Sequence, residues 1–194
     1  MVSTTPLSKK SESARWLLGL WLMLVAGHAL SQGIHILSAE LKPYDGQYHL
    51  AATFEINLTP TLEEALNKGV ALHFSVEFEV IRPRWYTLYL WNGEVVNLDQ
   101  QFRLAYNALT RQYRLSLGGL HQNFDTLDEA LAVLGRVHFP RVFEEDALTP
   151  ARVYDAQVRM RLDTTQLPKP FQIDAIGSRD WSLASNWYRW TVSR

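Results

Sequence analysis

The chain has 194 residues, 19 Lys plus Arg against 20 Asp plus Glu, and no cysteine. The missing thiol excludes a cysteine nucleophile, a Cys-ligated metal, disulfide staples and a lipidated cysteine. A formal charge of −1 argues against nucleic acid or an anionic membrane surface as partner, and the length suits one domain able to bury a full core without staples.

The first residues are polar and basic, with Lys9, Lys10 and Arg15 against Glu12, and an apolar run of 14 residues follows from Trp16 to Ala29. That run is short beside the roughly 20 residues of a membrane-spanning helix. Gly27 and Ala29 supply the small residues of a cleavage site, so residues 1–29 read as a secretory signal peptide. The rival reading is an uncleaved anchor extended through Leu30, Gly33, Ile34 and Ile36, against which His28, Ser31 and Gln32 stand. With the basic flank inside, both readings put residues 30–194 outside the cytoplasm, in a periplasm. Without Lys9, Lys10, Arg15 and Glu12, the formal charge of the remainder is −3, carried with 13 Arg and 3 Lys.

Period-2 alternation dominates that remainder. A weaker strand at 34–41 is followed by the clear alternation of Tyr48, Leu50, Ala52, Phe54, Ile56 and Leu58, then by Leu72, Phe74, Val76, Phe78 and Val80. Weaker strands are expected at 85–91, 101–106 and 112–117, a clear one over Tyr154, Ala156, Val158, Met160 and Leu162, and a last one at 187–192. Gly46, Asn92-Gly93 and Gly118-Gly119 mark turns. Two short helices interrupt the strands, TLEEALNKG from Thr61 and TLDEALAVLG from Thr126. Each has Glu three residues after Thr, a capping box, and each ends at glycine, Gly69 or Gly135. Leu167-Pro168-Lys169-Pro170 reads as a short extended linker. The expected fold is mainly β, an antiparallel two-layer sandwich with two short connecting helices; the alternative is an α+β sheet with both helices on one face.

Residues 48–74 and 113–139 also match at a constant offset of 65. Tyr48, Leu50, Thr61, Leu62, Glu64, Ala65, Leu66, His73 and Phe74 find the same residue in the second segment, nine identities over 27 positions. This suggests a strand–helix–strand unit used twice, the second copy losing its strand after Phe139 where Pro140 and Glu144-Glu145-Asp146 intervene.

The blocks GVALHFSVEFEVIRPRWY, LAYNALTRQYRLS, FDTLDEAL, VRMRLDTTQLPKPFQ and DWSLASNWYRW, in this order and spacing, resemble an uncharacterised family of exported proteins of Gram-negative bacteria, a domain of unknown function. The resemblance covers nearly the whole of residues 30–194. It implies genes near a membrane sensor kinase of the nitrogen-regulation type and an rRNA cytosine methyltransferase, hence an envelope or inner-membrane protein as partner. It carries no catalytic residues. The family leads one to expect an aromatic cluster directly after Arg84-Trp85-Tyr86; here Thr87, Leu88, Tyr89 and Leu90 precede Trp91.

No nucleophile elbow, zinc-protease helix, phosphate loop or dinucleotide glycine pattern occurs, so no catalytic residue, metal ligand or cofactor is assigned. His49 and His73, on outward faces of strands that look adjacent and beside Glu55 and Glu77, are the one pair that could share a metal. The binding candidates are Arg82, Arg84, Trp85, Tyr86 and Trp91, with Arg159 and Arg161 on the polar face of a later strand and Trp187 and Trp190 near the C-terminus. Arg beside aromatic rings favours anionic or flat ligands and protein hot spots. Alternation splits Trp187 from Trp190, one inward and one outward. The functional expectation is a non-catalytic periplasmic binding or interaction module, accessory to envelope sensing. The alternatives are a metal-dependent or hydrolytic envelope enzyme and a structural envelope protein, the last distinguished by lacking a concave apolar pocket.

Overall fold

A computed structural model describes residues 33–82 and 93–193. Nine strands are described: β1 Gly33–Tyr44, β2 Gln47–Asn57, β3 Leu72–Arg82, β4 Gly93–Asn107, β5 Gln112–Leu117, β6 Leu120–Phe124, β7 Arg136–Glu144, β8 Val153–Leu162 and β9 Tyr188–Ser193. They form two sheets, one of order β1-β2-β7 and one of order β6-β5-β4-β3-β8-β9. Every pairing is antiparallel. The expected β-sandwich is the fold.

Alternation decides the core. Tyr48, Leu50, Ala52, Phe54 and Ile56 of β2 are buried, as are Leu72, Phe74, Val76, Phe78 and Val80 of β3 and Tyr154, Ala156, Val158, Met160 and Leu162 of β8. These three strands are the clearest alternations in the sequence because one face of each is core along most of its length. The two-residue turns fall where glycine marks them: Asp45 and Gly46 both have positive φ between β1 and β2, and Gly118 has φ 56 between β5 and β6.

Helix α1 (Pro60–Asn67) carries the chain from the three-stranded sheet to the six-stranded one, and α2 (Leu127–Leu134) carries it back. Leu62, Ala65 and Leu66 of α1 and Ala130 and Leu134 of α2 are buried. The cap of α2 is the expected Thr126, whose hydroxyl accepts from Glu129 N at 3.3 Å. The cap of α1 is not the expected Thr61. Thr59 accepts from Leu62 N at 3.2 Å and Pro60 is the first helical residue, because proline fits the first turn, where its missing N–H is not needed. Thr59 also donates to the Asp180 carbonyl at 2.6 Å, joining α1 to the 3₁₀ turn at Arg179–Trp181. Gly135 is a close-approach glycine with φ −70, and its carbonyl accepts from Phe54 N at 2.8 Å. A methyl group there would press into the Phe54 carbonyl.

Three strand expectations change, and a fourth is not tested. The strand expected at 101–106 is the end of the longer β4. The strand expected at 85–91, with Asn92, lies outside the described residues. Leu120–Phe124, not expected as a strand, is β6. The second strand does not end at Phe139: β7 continues to Glu144 through a bulge that sets Pro140, Arg141 and Val142 opposite His49, with Arg141 at φ 62. In addition, Lys169–Ala175 is helix α3 rather than part of a linker, with Pro168 as its N-cap. Phe171 of α3 lies against the buried Trp181, ring centroids 5.5 Å apart, and Leu167 and Leu183 are also buried.

Thr59→Ala should lower stability by about 1–2 kcal/mol and Thr61→Ala by less than about 0.5 kcal/mol, measured as urea unfolding midpoints. Gly135→Ala should cost about 1–3 kcal/mol through overpacking against β2, in the same assay.

Candidate functional site

The expected binding residues separate into groups. Arg84, Trp85, Tyr86 and Trp91 lie outside the described residues. Arg82 ends β3, paired with Gly93 of β4. Trp190 pairs with Ala156 on the inner face, its ring centroid 6.1 Å from Phe78 and 5.8 Å from Tyr188. Trp187 is on the other side of the sheet, as alternation implies. There it meets Arg159, whose guanidinium carbon stands 4.4 Å from the ring centroid.

Arg159, Arg161 and Trp187 therefore share the outer face of the six-stranded sheet, with one carboxylate at the centre. Glu77 of β3 lies opposite Arg159 of β8 and diagonal to Arg161. Arg159 Nη2 reaches Glu77 Oε2 and Arg161 Nε reaches Glu77 Oε1, both at 2.5 Å. Gln157 donates to Glu79 at 2.6 Å and accepts from Arg189 at 2.8 Å, and Ser75 donates to Asp99. The cations expected to receive an anion are thus already engaged by a neighbouring strand. Burial pushes the Glu77 carboxyl upward, but the hydrogen bonds and charges of Arg161 and Arg159 outweigh it and hold the group below the usual glutamate range.

His49 and His73, the one pair that could have shared a metal, are not in one sheet: His49 is in β2 and His73 in β3. The ring near His49 is His138 of β7, centroids 6.3 Å apart. Burial and then the Arg103 charge hold the His73 imidazole below its ordinary value, against the opposing pull of Asp163. Among the described residues no three His, Asp or Glu side chains gather as a metal site, and no buried side-chain nitrogen or oxygen lacks a partner.

A site not expected from the sequence lies where β6 and β7, edge strands of the two sheets, are joined by α2. A groove of about 300 Å³ opens there. Its floor is Phe102, Leu115 and Leu117 on the inner face of the six-stranded sheet, faced by Val137 and Phe139 of β7. Leu120, 77% exposed, and Val133, 38% exposed, extend the apolar surface to the mouth. His121, Arg136 and His138 border it, and their strand positions put them on the outer faces, at the rim. Sequence reasoning missed this groove because β6 carries one buried residue in five. The available signal was Leu117-Gly-Gly-Leu120, an apolar pair across a tight turn.

The fold and groove define an unequal two-sheet β-sandwich with a groove between its β6 and β7 edges. The family described as a domain of unknown function, DUF4390, matches residues 31–191, and the chain belongs to it. No curated protein and no solved structure matches the chain. Among the described residues no helix is long and apolar enough to cross a membrane.

Glu77→Gln leaves Arg159 and Arg161 facing each other without their anion. Because the folded carboxyl titrates below its unfolded value, its contribution is fully present above the unfolded pKa and is lost as pH falls through the folded one. The variant should be less stable at pH 7 by roughly 1–2 kcal/mol, a figure reduced for the partly exposed arginines. The gap should close under acid conditions, read as thermal midpoints of both proteins across pH.

Proposed function

We propose that the chain is an exported, non-catalytic binding module of the bacterial envelope and that the groove between β6 and β7 is its binding site. The carrying observation is the groove itself: a concave apolar surface with a polar rim is the general form of a ligand site and is what a purely structural envelope protein is expected to lack. Its volume of about 300 Å³ lies at the small end of the roughly 300–1,000 Å³ range of such sites. Export rests on the basic segment, short apolar run and Gly-x-Ala exit at residues 9–29. A role accessory to envelope sensing rests on the family resemblance.

The site is tested with an uncharged apolar dye, N-phenyl-1-naphthylamine. One-to-one binding is expected from the full chain. Leu120→Lys with Val133→Lys, both at exposed positions, should weaken it while circular dichroism and the melting midpoint stay unchanged. A wild-type chain that leaves the dye unbound, or a double variant that binds equally well, refutes the site. Export is tested by N-terminal sequencing of the protein from the envelope: a start at Leu30 gives a released periplasmic protein, and retention of Met1 or Val2 gives an anchored one.

A further inference from the structure

We infer that the ligand of this groove is a single-chain amphiphile with an anionic head, its chain on the floor and its head at Arg136. The inference rests on the groove being the binding site and adds the chemical class of what fills it. The lining is divided by chemistry. The floor offers Phe102, Leu115, Leu117, Val137 and Phe139, and none of the lining residues is a carboxylate. The polar lining is one guanidinium, Arg136, with the imidazoles of His121 and His138 and the amide of Gln122 as further hydrogen-bonding groups.

Arg136 differs from Arg159, Arg161 and Arg189 on the outer face of the six-stranded sheet. Arg159 and Arg161 are committed to Glu77, and Arg189 to Gln157. Arg136 forms no ion pair with any described residue. Glu55 and Asp128 border a separate shallow hollow on its other side and are not paired with it. Its planar fork is therefore available to a carboxylate, sulfate or phosphate, the groups it binds in bidentate fashion. A peptide would need hydrogen-bond partners for its backbone amides, and a zwitterionic one a carboxylate that the lining lacks, whereas an acyl chain needs only the apolar floor. A volume of about 300 Å³ holds one such chain and not a bilayer-sized assembly.

The test is calorimetric titration of the full chain with decanoate, 1-decanol and decyltrimethylammonium, each below its micelle concentration, and with hexanoate and octanoate. Decanoate is expected to bind tightest. Affinity should rise roughly fourfold per added methylene, the equivalent of about 0.8 kcal/mol, until the chain outgrows the groove. Arg136→Gln, at an exposed position, should weaken decanoate about tenfold, as loss of a charge-assisted contact does, and leave 1-decanol unchanged. Arg136→Lys should restore part of the loss. If decanoate and the cationic amphiphile bind alike, or Arg136→Gln weakens 1-decanol as much as decanoate, the anionic-head assignment is overturned and the groove as an apolar site survives. If none of the three ten-carbon ligands binds, both fall.

Discussion

Three strands cannot cover six. The inner face of the six-stranded sheet is apolar along β3, β8 and much of β4, and the sheet opposite has only β1, β2 and β7. Burial of apolar surface is the main favourable term in folding, so the uncovered ends must be closed by other means. Helices α1 and α2 do this where the chain changes sheets. The segment after β8 adds Leu167, Trp181 and Leu183, tied to the start of α1 by the Thr59–Asp180 hydrogen bond. At the β6 end the closure stops short, and Leu120 stays exposed on a face that is core elsewhere. The groove is the remainder left by this mismatch.

The outer face of the larger sheet answers a different demand. Ser75 and Gln157 are buried there, so their polar groups need partners inside the protein. The lattice supplies them, strand by strand: Asp99 to Ser75, Glu77 to the two arginines, Glu79 to Gln157, Gln157 to Arg189. Trp187 closes one end by lying over Arg159, where a flat cation and an aromatic face attract. Polar residues at every second position of β3 and β8 thus hold the register of neighbouring strands, since a slip of one residue would carry each of them to the core.

What the sequence made legible follows from how completely each strand is surrounded. In β2, β3 and β8 the two faces differ sharply, and alternation announces them. In β6, the inner face looks onto the groove and the outer face onto water, so Leu120 and Gln122 are as exposed as the polar residues beside them, Phe124 alone is buried, and the pattern fades. The second helix and its Thr126 cap were plain, whereas Thr61 misled because a threonine two residues earlier already capped α1. Arg159, Arg161 and Trp187 were found by residue type. Their partner Glu77 came from a strand more than 80 positions away, and only the sheet order reveals it. Arg136 carried no local signal, since its significance lies in having no such partner.

The bulge in β7 has a consequence for the molecule among its own copies. β7 is an edge strand, and an edge offers its free N–H and C=O groups to any passing strand. Pro140 has no N–H to offer, and the left-handed turn at Arg141 throws the strand out of register. A second chain approaching this edge meets a ladder with a missing rung and a twist in its rail, and continuous strand addition stops there. The irregularity that hid the strand from its sequence pattern also blunts this edge against strand addition.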